Sequence, residues 1–109
     1  MHGEDRAADW YTRQGYEVLA RNWRCDAGEL DLVLRDRDSV VFCEVKARSG
    51  TGFGLPAEAV TRAKQARIRR LAARWLAENR GRLGRASIAL RFDVACVLGQ
   101  EIDVLEGAF

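Results

Sequence analysis

The sequence predicts one α/β domain: a mixed β-sheet flanked by helices, with its elements in the order α-β-β-β-α-β-β. Three strand-like segments follow an amphipathic opening segment, a long helical pattern comes next, and two further strand-like segments end the chain. The succession of strand, helix and strand predicts a parallel pair joined by a right-handed crossover. At 109 residues the chain can bury one core but is too short for two, so we assign residues 1–109 to a single domain.

The first helix is predicted in the segment GEDRAADWYTRQG. Glu4 and Asp5 fall in its first turn, where the positive end of the helix dipole favours acids. Alanines and a tyrosine at helical spacing form its apolar stripe, and a glycine ends it. YEVLARNWR, residues 16–24, then has the composition of a first strand, and CDAG, residues 25–28, that of a turn.

The second and third strands are predicted on either side of the turn 36–39. The second covers residues 29–35, and three alternating leucines share one of its faces: Leu30, Leu32 and Leu34. VVFCEVKARSG, residues 40–50, has the β-branched and aromatic content of a buried third strand, yet Glu44 and Lys46 interrupt it two residues apart. These two charges on one strand face need an explanation.

The second half of the chain begins with a glycine-rich segment, residues 49–56, that lacks the spacing of a phosphate-binding loop and is interpreted as a mobile connection. A long helix is predicted from about residue 57 to residue 80, closed by Gly81 and Gly84. Its apolar stripe consists of Ile68, Leu71, Ala72, Trp75 and Leu76.

Two strands are predicted after this helix, at residues 87–98 and within residues 101–109. One face of the longer strand is apolar and consists of Ile88, Leu90, Phe92, Val94 and Cys96. Asp93 lies on the other face beside Arg91, and an ion pair between them is the favoured interpretation.

Composition excludes several classes of protein. No apolar run approaches the roughly 18 residues that a membrane span needs, and the N-terminal segment is charged where a signal peptide would be apolar. We therefore expect a cytoplasmic protein without a membrane partner. Cys25, Cys43 and Cys96 lie far apart and the only histidine is His2. This favours small core cysteines over a zinc site or a disulfide framework.

The net charge of +2 hides a strong asymmetry. Residues 60–91 carry ten basic groups and one acidic group, whereas residues 92–109 carry four acidic groups and no basic one. The basic block is rich in arginine, whose guanidinium suits bidentate contacts to phosphate. A polyanionic partner is therefore suggested.

Charges on strands two and three meet if the hairpin folds symmetrically about the turn 36–39. Paired residue numbers then add to 75, so that Asp31 faces Glu44. Glu29 faces Lys46; it is interpreted as the partner of that lysine, and an auxiliary ligand is the alternative. Two carboxylates opposite each other on antiparallel strands have Cβ atoms about 4.5–5.5 Å apart and repel. A divalent cation, a shared proton or a nearby Lys or Arg would offset that repulsion.

Two interpretations of these charges remain open on spacing alone. Mg²⁺ typically takes one or two carboxylates and leaves room for a substrate phosphate, and Lys46 could assist an attacking water. The alternative is an exposed ladder of ion pairs on a solvated face, contributing roughly 0–1 kcal/mol for each pair. The ladder is the better supported of the two by spacing.

Several motifs agree in order and spacing with the YraN family of the PD-(D/E)XK nuclease superfamily, which the sequence resembles over almost its whole length. They are GED-AA, GYEVLARNWR-C, GELDLV, VVFCEVKAR, FG-P-EAV, K-Q-RIRR and RFDV. The resemblance implies a restriction-endonuclease-like fold, close to that of Holliday-junction-resolving and tRNA-splicing endonucleases. One departure is Leu30, which stands where the superfamily name places proline.

The resemblance also implies roles for particular residues. Asp31 and Glu44 would be ligands of Mg²⁺, with Mn²⁺ as a substitute, and Lys46 would be the catalytic lysine. Glu4 matches an acidic position on the first helix that can join the site, although an acid there also stabilises the helix through its dipole. Gln65, together with the preceding lysine, matches a polar position on the following helix that supports the active site.

Cations surround the apolar stripe of the long helix, and no acid lies among them. They are Arg62, Lys64, Arg67, Arg69, Arg70 and Arg74. We expect them to contact a nucleic-acid backbone, which gives salt-dependent and largely sequence-independent binding. Trp10, Trp23 and Trp75 could stack on bases, but core packing is the favoured interpretation.

Three functional hypotheses follow. The leading one is a Mg²⁺-dependent nuclease acting on DNA or structured, branched nucleic acid; the resemblance implies that it leaves a 5′ phosphate. The second is a non-catalytic nucleic-acid-binding or adaptor module that keeps the nuclease fold. The third is an assembly protein that forms a homodimer through a sheet edge such as the last strand.

Overall fold

Five strands in sequence order form one sheet in a computed structural model of the protein, which describes residues 3–47, 60–84 and 88–109. The helices and strands are α1 (Gly3–Arg13), β1 (Glu17–Cys25), β2 (Gly28–Arg35), β3 (Ser39–Ala47), α2 (Arg62–Glu78), α3 (Arg80–Leu83), β4 (Ala89–Leu98) and β5 (Glu101–Leu105). The predicted mixed α/β class and its order α-β-β-β-α-β-β are confirmed, and α3 is an addition. The predicted connection at 49–56 lies outside the described residues.

Strand pairing follows the predicted topology. β3 and β4 are parallel, whereas the other three neighbouring pairs are antiparallel. The β2–β3 hairpin has the predicted symmetric register, with Leu32 opposite Cys43 and Arg35 opposite Val40. The Asp36 carboxylate fixes the turn by accepting hydrogen bonds from the main-chain N–H groups of Asp38 and Ser39.

The core lies on both faces of this sheet. On one face, α2 packs its buried side chains onto strands β2, β3 and β4; these side chains are Ile68, Leu71, Ala72 and Trp75. On the other face, α1 buries Ala7, Ala8 and Tyr11 against the same strands. The apolar stripes predicted for both helices are therefore confirmed. We call these two sides the α2 face and the α1 face.

The predicted single leucine face of β2 is wrong. Leu30 packs on the α2 face, whereas Leu32 and Leu34 pack on the α1 face. The alternation therefore shifts between residues 30 and 32, around Asp31, where the strand leaves regular pairing with β3. This irregularity gives Asp31 an environment that simple alternation does not predict.

The long helix ends earlier than its pattern suggests. Thr61 caps its N-terminus by accepting a hydrogen bond from the main chain of Lys64 (3.2 Å). Asn79, with φ −119° and ψ 18°, interrupts the helix, and its side-chain amide donates to the Trp75 carbonyl oxygen (2.8 Å). Gly81, predicted to end the helix, lies inside α3, and Gly84 ends that element with φ 81°.

A buried ion pair links β4 to α1 and to the chain terminus. Asp93 is fully buried and accepts hydrogen bonds from two guanidinium nitrogens of Arg91, each at 2.9 Å, which confirms the predicted pair. The Tyr11 hydroxyl donates to Asp93 (2.6 Å), and so does the main-chain N–H of Gly107 (2.9 Å). Burial raises the pKa of Tyr11, so this hydroxyl keeps the proton that it donates.

The remaining aromatic and cysteine predictions concern packing. Trp75 is buried, and Trp10 and Trp23 are partly buried against the two core clusters, as the core-packing interpretation requires. Cys43 and Cys96 are buried thiols. In the part of the chain that the structure describes, no helix is both long and apolar enough to cross a membrane. β5 lies at an edge of the sheet, and its use in a homodimer stays a prediction.

Candidate acidic site at the β2–β3 fork

The candidate site lies where β2 and β3 separate. Regular pairing ends at Leu32 and Cys43, one residue before Asp31 and Glu44. Beyond this point, the Asp31 carboxylate accepts a hydrogen bond from the main-chain N–H of Val45 (2.8 Å). The Asp31 carboxylate therefore accepts this hydrogen bond in place of a main-chain carbonyl group. The bond holds the two strands together and fixes the position of the carboxylate.

Three carboxyl groups converge around this position. One oxygen each from Glu4, Glu29 and Asp31 lies within 4.8 Å of the other two. Glu4 comes from the first turn of α1, so the acidic start that stabilises this helix also contributes to the cluster. The structure is therefore compatible with both roles considered for Glu4, stabilising the helix through its dipole and joining the site.

The electrostatics of Asp31 reflect this crowding. Burial is the main cause that raises its pKa to about 7, and the nearby carboxyl groups of Glu44 and Glu4 raise it further. The hydrogen bond from Val45 acts in the opposite direction, since it favours the charged form. Asp31 is thus an acid whose charge is costly unless a cation or a proton compensates it.

Glu44 contacts a lysine of α2, the helix on the opposite side of the sheet from α1. It is only 8% exposed, and its Oε1 lies 2.8 Å from Nζ of Lys64 on α2. Burial opposes the charge of Lys64, but hydrogen bonds to Glu44 and Lys46 leave its pKa raised. Of the two predicted metal ligands, Asp31 therefore belongs to the carboxylate cluster, whereas Glu44 is ion-paired.

Lys46 lies beside this ion pair. The hydrogen bond from Lys64 is the main cause that lowers the pKa of Lys46, and burial and the charge of Lys64 add to it. Between the two amines, Lys64 thus keeps its proton more firmly and Lys46 loses it more readily. The site contains one firmly charged lysine and one whose neutral form is favoured relative to a free lysine.

One sequence expectation, the partner of Glu29, differs from the structure, whereas the supporting role implied for Gln65 stays a prediction. Glu29 was expected to partner Lys46, but it is paired with Arg24 of β1, with 3.3 Å between Nε and Oε2. The β1–β2 register places Arg24 directly opposite Glu29, and this favours their contact. Gln65 donates to the Val60 carbonyl oxygen (3.1 Å) at the start of α2, so the helix residue that contacts Glu44 is the lysine before it.

An open pocket of about 430 Å³ lies on the α1 side of the carboxylate cluster. Its described lining residues are Gly3, Glu4, Asp5, Arg21, Asn22, Asp31, Val45 and Ala47. Sequence reasoning missed Asn22 as a lining residue, and it favoured Glu29 as the partner of Lys46 over Glu29 as an auxiliary ligand. The signal available for Asn22 was its residue type, since asparagine is depleted in strands and tolerates a left-handed backbone.

The predicted basic surface of α2 divides into two groups. Three of its six cations already have partners: Lys64 contacts Glu44, Arg74 contacts Asp26, and the Arg69 guanidinium lies 4.6 Å from the centre of the Phe92 ring. The side chains of the other three are exposed and form no hydrogen bond or ion pair with another described residue. They are Arg62, Arg67 and Arg70.

The donor set of the carboxylate cluster suits a hard divalent cation. Mg²⁺ and Mn²⁺ prefer carboxylate oxygens and keep several waters, and three convergent oxygens at one edge of an open pocket meet that preference. The cluster contains neither histidine nor cysteine, so it lacks the ligands typical of structural zinc. The assignment of Asp31 and Glu44 as ligands stays a prediction.

The fold and the site together define a mixed α/β protein in which acids and lysines from both faces of the sheet converge at one strand fork. Residues 3–97 match the family described as Uncharacterised protein family UPF0102, and the chain belongs to this family. The resemblance to the YraN family, noted from the sequence motifs, is thereby confirmed.

Relatives from several bacteria carry the same family designation. The chain is 60% identical over 95 residues to a UPF0102 protein of Frankia casuarinae, covering 87% of this chain and 77% of the relative. It is 55% identical over 97 residues to UPF0102 proteins of Beutenbergia cavernae and Nocardia farcinica, covering 89% of this chain and 79% and 73% of the relatives, respectively. Their names state the family and no activity.

Proposed function

We propose that the protein is a metal-dependent nuclease that hydrolyses phosphodiester bonds of DNA or structured, branched nucleic acid. The observation that carries the proposal is the convergence, at the β2–β3 fork, of the Asp31 carboxylate cluster with Glu44 and its two lysines. A solvated ladder of ion pairs explains this less well, because Asp31 is buried enough for its pKa to rise and Glu44 is nearly inaccessible.

The carboxylates would hold a divalent cation, Mg²⁺ or Mn²⁺. Asp31 is the central ligand, with Glu44 as the second ligand that the resemblance implies and Glu4 and Glu29 near enough to contribute through oxygen or water. When bound, such a cation supplies positive charge that polarises a phosphate oxygen. The repulsion among the carboxylates, which is costly in the free protein, would be relieved at the same time.

The lysines have separable roles in this proposal. Lys64 neutralises Glu44 and favours a neutral amine on Lys46. The Lys46 amine takes a proton from an attacking water as the water oxygen bonds to phosphorus and the bond from phosphorus to the 3′ oxygen breaks. The leaving 3′ oxygen takes a proton from solvent, which yields a 3′ hydroxyl and a 5′ phosphate; this polarity rests on the resemblance.

The test is a panel of end-labelled branched, flapped, single-stranded and duplex substrates, incubated with Mg²⁺ or Mn²⁺. We expect cleavage by the wild-type protein and a loss of about 100-fold or more in Glu44→Ala and in Lys46→Ala, since each removes a group that acts on the reacting atoms. Glu101→Ala is the matched control, because Glu101 is an exposed glutamate on β5 and its loss should leave cleavage unchanged.

Each other result has a definite meaning. Cleavage by Glu44→Ala and Lys46→Ala at the wild-type rate would refute the assignment of the site. A wild-type protein that binds these substrates and cuts none of them with either metal would instead be a nucleic-acid-binding module.

A further inference from the structure

Asn22 has an unusual backbone conformation for a strand residue. Its φ is 51°, and among the described residues it is the only non-glycine with a positive φ. It lies within β1, where extended backbone is the rule, four residues after the bulge at Val18 and Ala20 begins. Asparagine tolerates the left-handed conformation better than most non-glycine residues, but the conformation interrupts the extended backbone of the strand, and such positions cluster at functional sites.

The register of β1 and β2 places this residue across from Asp31. Arg21 pairs with Leu32 and Trp23 pairs with Leu30, so Asn22 and Asp31 are the two residues between these pairs. Both residues line the open pocket beside the carboxylate cluster. The irregular position in β1 and the irregular position in β2 therefore coincide at the candidate site.

Among the described residues that line this pocket, Asn22 is also an uncommitted hydrogen-bond donor. Among the described lining residues, only Arg21 and Asn22 have donor side chains, and the Arg21 guanidinium is ion-paired with Asp5. The Asn22 side chain is exposed and forms no hydrogen bond with another described residue. Its amide can donate to an incoming group without losing an internal partner.

The amide chemistry indicates what that incoming group is. A lysine or arginine at this position would pair with Asp31, as Lys64 does with Glu44, and would compete with a bound cation. A neutral amide donates hydrogen bonds without that competition. An anionic oxygen held between the carboxylate-bound cation and this wall of the pocket would find its donor in Asn22.

We propose that Asn22 is a substrate-binding residue, whose side-chain amide donates to a non-bridging oxygen of a nucleic-acid phosphate in the pocket beside Asp31. This inference rests on the proposed nuclease function and adds to it a wall of the site that comes from β1. Its left-handed backbone conformation turns the residue out of regular strand geometry at the place where the phosphate would lie.

The experiment separates the amide from the backbone by comparing Asn22→Gly, Asn22→Asp and Asn22→Ala with the wild-type protein. Glycine adopts the left-handed conformation without strain, and aspartate tolerates it better than alanine does. Melting temperature is measured with a chelator present, and kcat and KM are measured on the most rapidly cut oligonucleotide of the panel. Oligonucleotide affinity is measured in Ca²⁺.

We expect Asn22→Gly to melt at or above the wild-type temperature and to lose about tenfold or more in kcat/KM and in affinity, as loss of a hydrogen bond to a charged group predicts. Asn22→Asp should lose more, because a carboxylate repels phosphate. Cleavage and affinity at wild-type levels in Asn22→Gly would overturn the inference. The inference would also be overturned if Asn22→Gly and Asn22→Ala showed an equal fall in melting temperature and lost activity only in proportion to that fall.

The proposed function fails in a distinguishable way. If the wild-type protein neither cuts nor binds any substrate of the panel, both the function and this inference are wrong. If the wild-type protein cuts and Asn22→Gly cuts equally well, the inference alone is wrong.

Discussion

Asp31 has two structural tasks at the β2–β3 fork that conflict with each other. Its carboxylate accepts the main-chain hydrogen bond of Val45, which favours the charged form, whereas its burial and the nearby carboxyl groups of Glu44 and Glu4 favour the protonated form. The second effect dominates, since its pKa rises to about 7. Charged Asp31 therefore lowers the stability of the metal-free fold.

Asp31→Asn should stabilise the metal-free protein above pH 7. The folded-state pKa of about 7 exceeds the ordinary value of 3.8, so the wild-type protein loses stability as the pH rises between these two values. Asparagine can still accept from Val45 and carries no charge. At pH 8 we expect a gain of about 1–2 kcal/mol, reduced by solvent screening of the partly exposed group, and little gain at pH 4.

Urea unfolding with a chelator at both pH values provides the measurement. Asp103→Asn is the control, because Asp103 is an exposed aspartate on β5 and its substitution should change stability by less than about 0.5 kcal/mol. An Asp31→Asn protein less stable than wild type at pH 8 would contradict the prediction.

Individual site residues were predictable to different degrees. The symmetric turn alone brought Asp31 near Glu44, because a hairpin register follows from where the turn is centred. The partner of Glu29 was not predictable in the same way, since it depends on the β1–β2 register and β1 contains a bulge. Asn22 depends on a backbone torsion, for which its residue type is the only signal in the sequence.

At the scale of elements, α2 combines a core role with an exposed charged face. Its apolar stripe was readily predicted, because the helical period is independent of what the helix contacts. The partners of its cations were not predicted, since Lys64, Arg69 and Arg74 contact residues outside the helix. Only half of the predicted basic surface is thus available to a polyanion.

The triple variant Arg62→Gln, Arg67→Gln and Arg70→Gln should weaken nucleic-acid binding similarly for all sequences. If all three contact phosphates, the slope of log affinity against log salt falls by about 2–3. Fluorescence anisotropy measures this slope between about 50 and 200 mM salt, a range over which affinity for nucleic acid falls steeply.

A control triple removes the same charge elsewhere: Arg13→Gln, Arg80→Gln and Arg82→Gln. These arginines lie on α1 and α3, and their loss should leave most of the salt slope intact. Equal losses in the two triple variants would mean that net charge, rather than the exposed face of α2, attracts nucleic acid.

Other element boundaries show where local patterns fail. The helical pattern continues through Asn79 to Arg80, but the Asn79 side chain donates to the Trp75 carbonyl oxygen and ends α2 there. The leucines of β2 alternate perfectly in sequence, yet the irregularity around Asp31 sends Leu30 and Leu32 to opposite faces. Both failures arise from polar side chains that compete with regular main-chain pairing.

At the scale of the whole molecule, residues from the two helix layers meet at the β2–β3 fork. α1 brings Glu4 from one face of the sheet, and α2 brings Lys64 from the other. The parallel pairing of β3 with β4 positions α2, and the buried Asp93 network ties β4 to α1 through Tyr11. Assembly of the site therefore requires the complete two-sided fold.

Because the site forms only in the folded chain, a cation that binds it should stabilise the whole molecule. The unfolded chain does not hold the three carboxylates together, so binding favours the folded state by about 2.7 kcal/mol at a free cation concentration 100 times Kd. We expect the melting temperature to rise with Mn²⁺ or Mg²⁺ concentration. Differential scanning calorimetry at pH 8 measures the shift.

Asp31→Asn makes this prediction specific, because its effect on stability should change sign between the metal-free and the metal-saturated protein. Without metal it is the more stable protein, because it lacks the repelling charge; with saturating metal the wild-type protein should equal or exceed it, because that charge is now a ligand. Asp103→Asn should follow the wild-type protein in both conditions. If the metal shifted the melting temperature of Asp31→Asn by as much as that of the wild-type protein, the cation would bind elsewhere. The charge of Asp31 would then lower stability at the fork without contributing to metal binding.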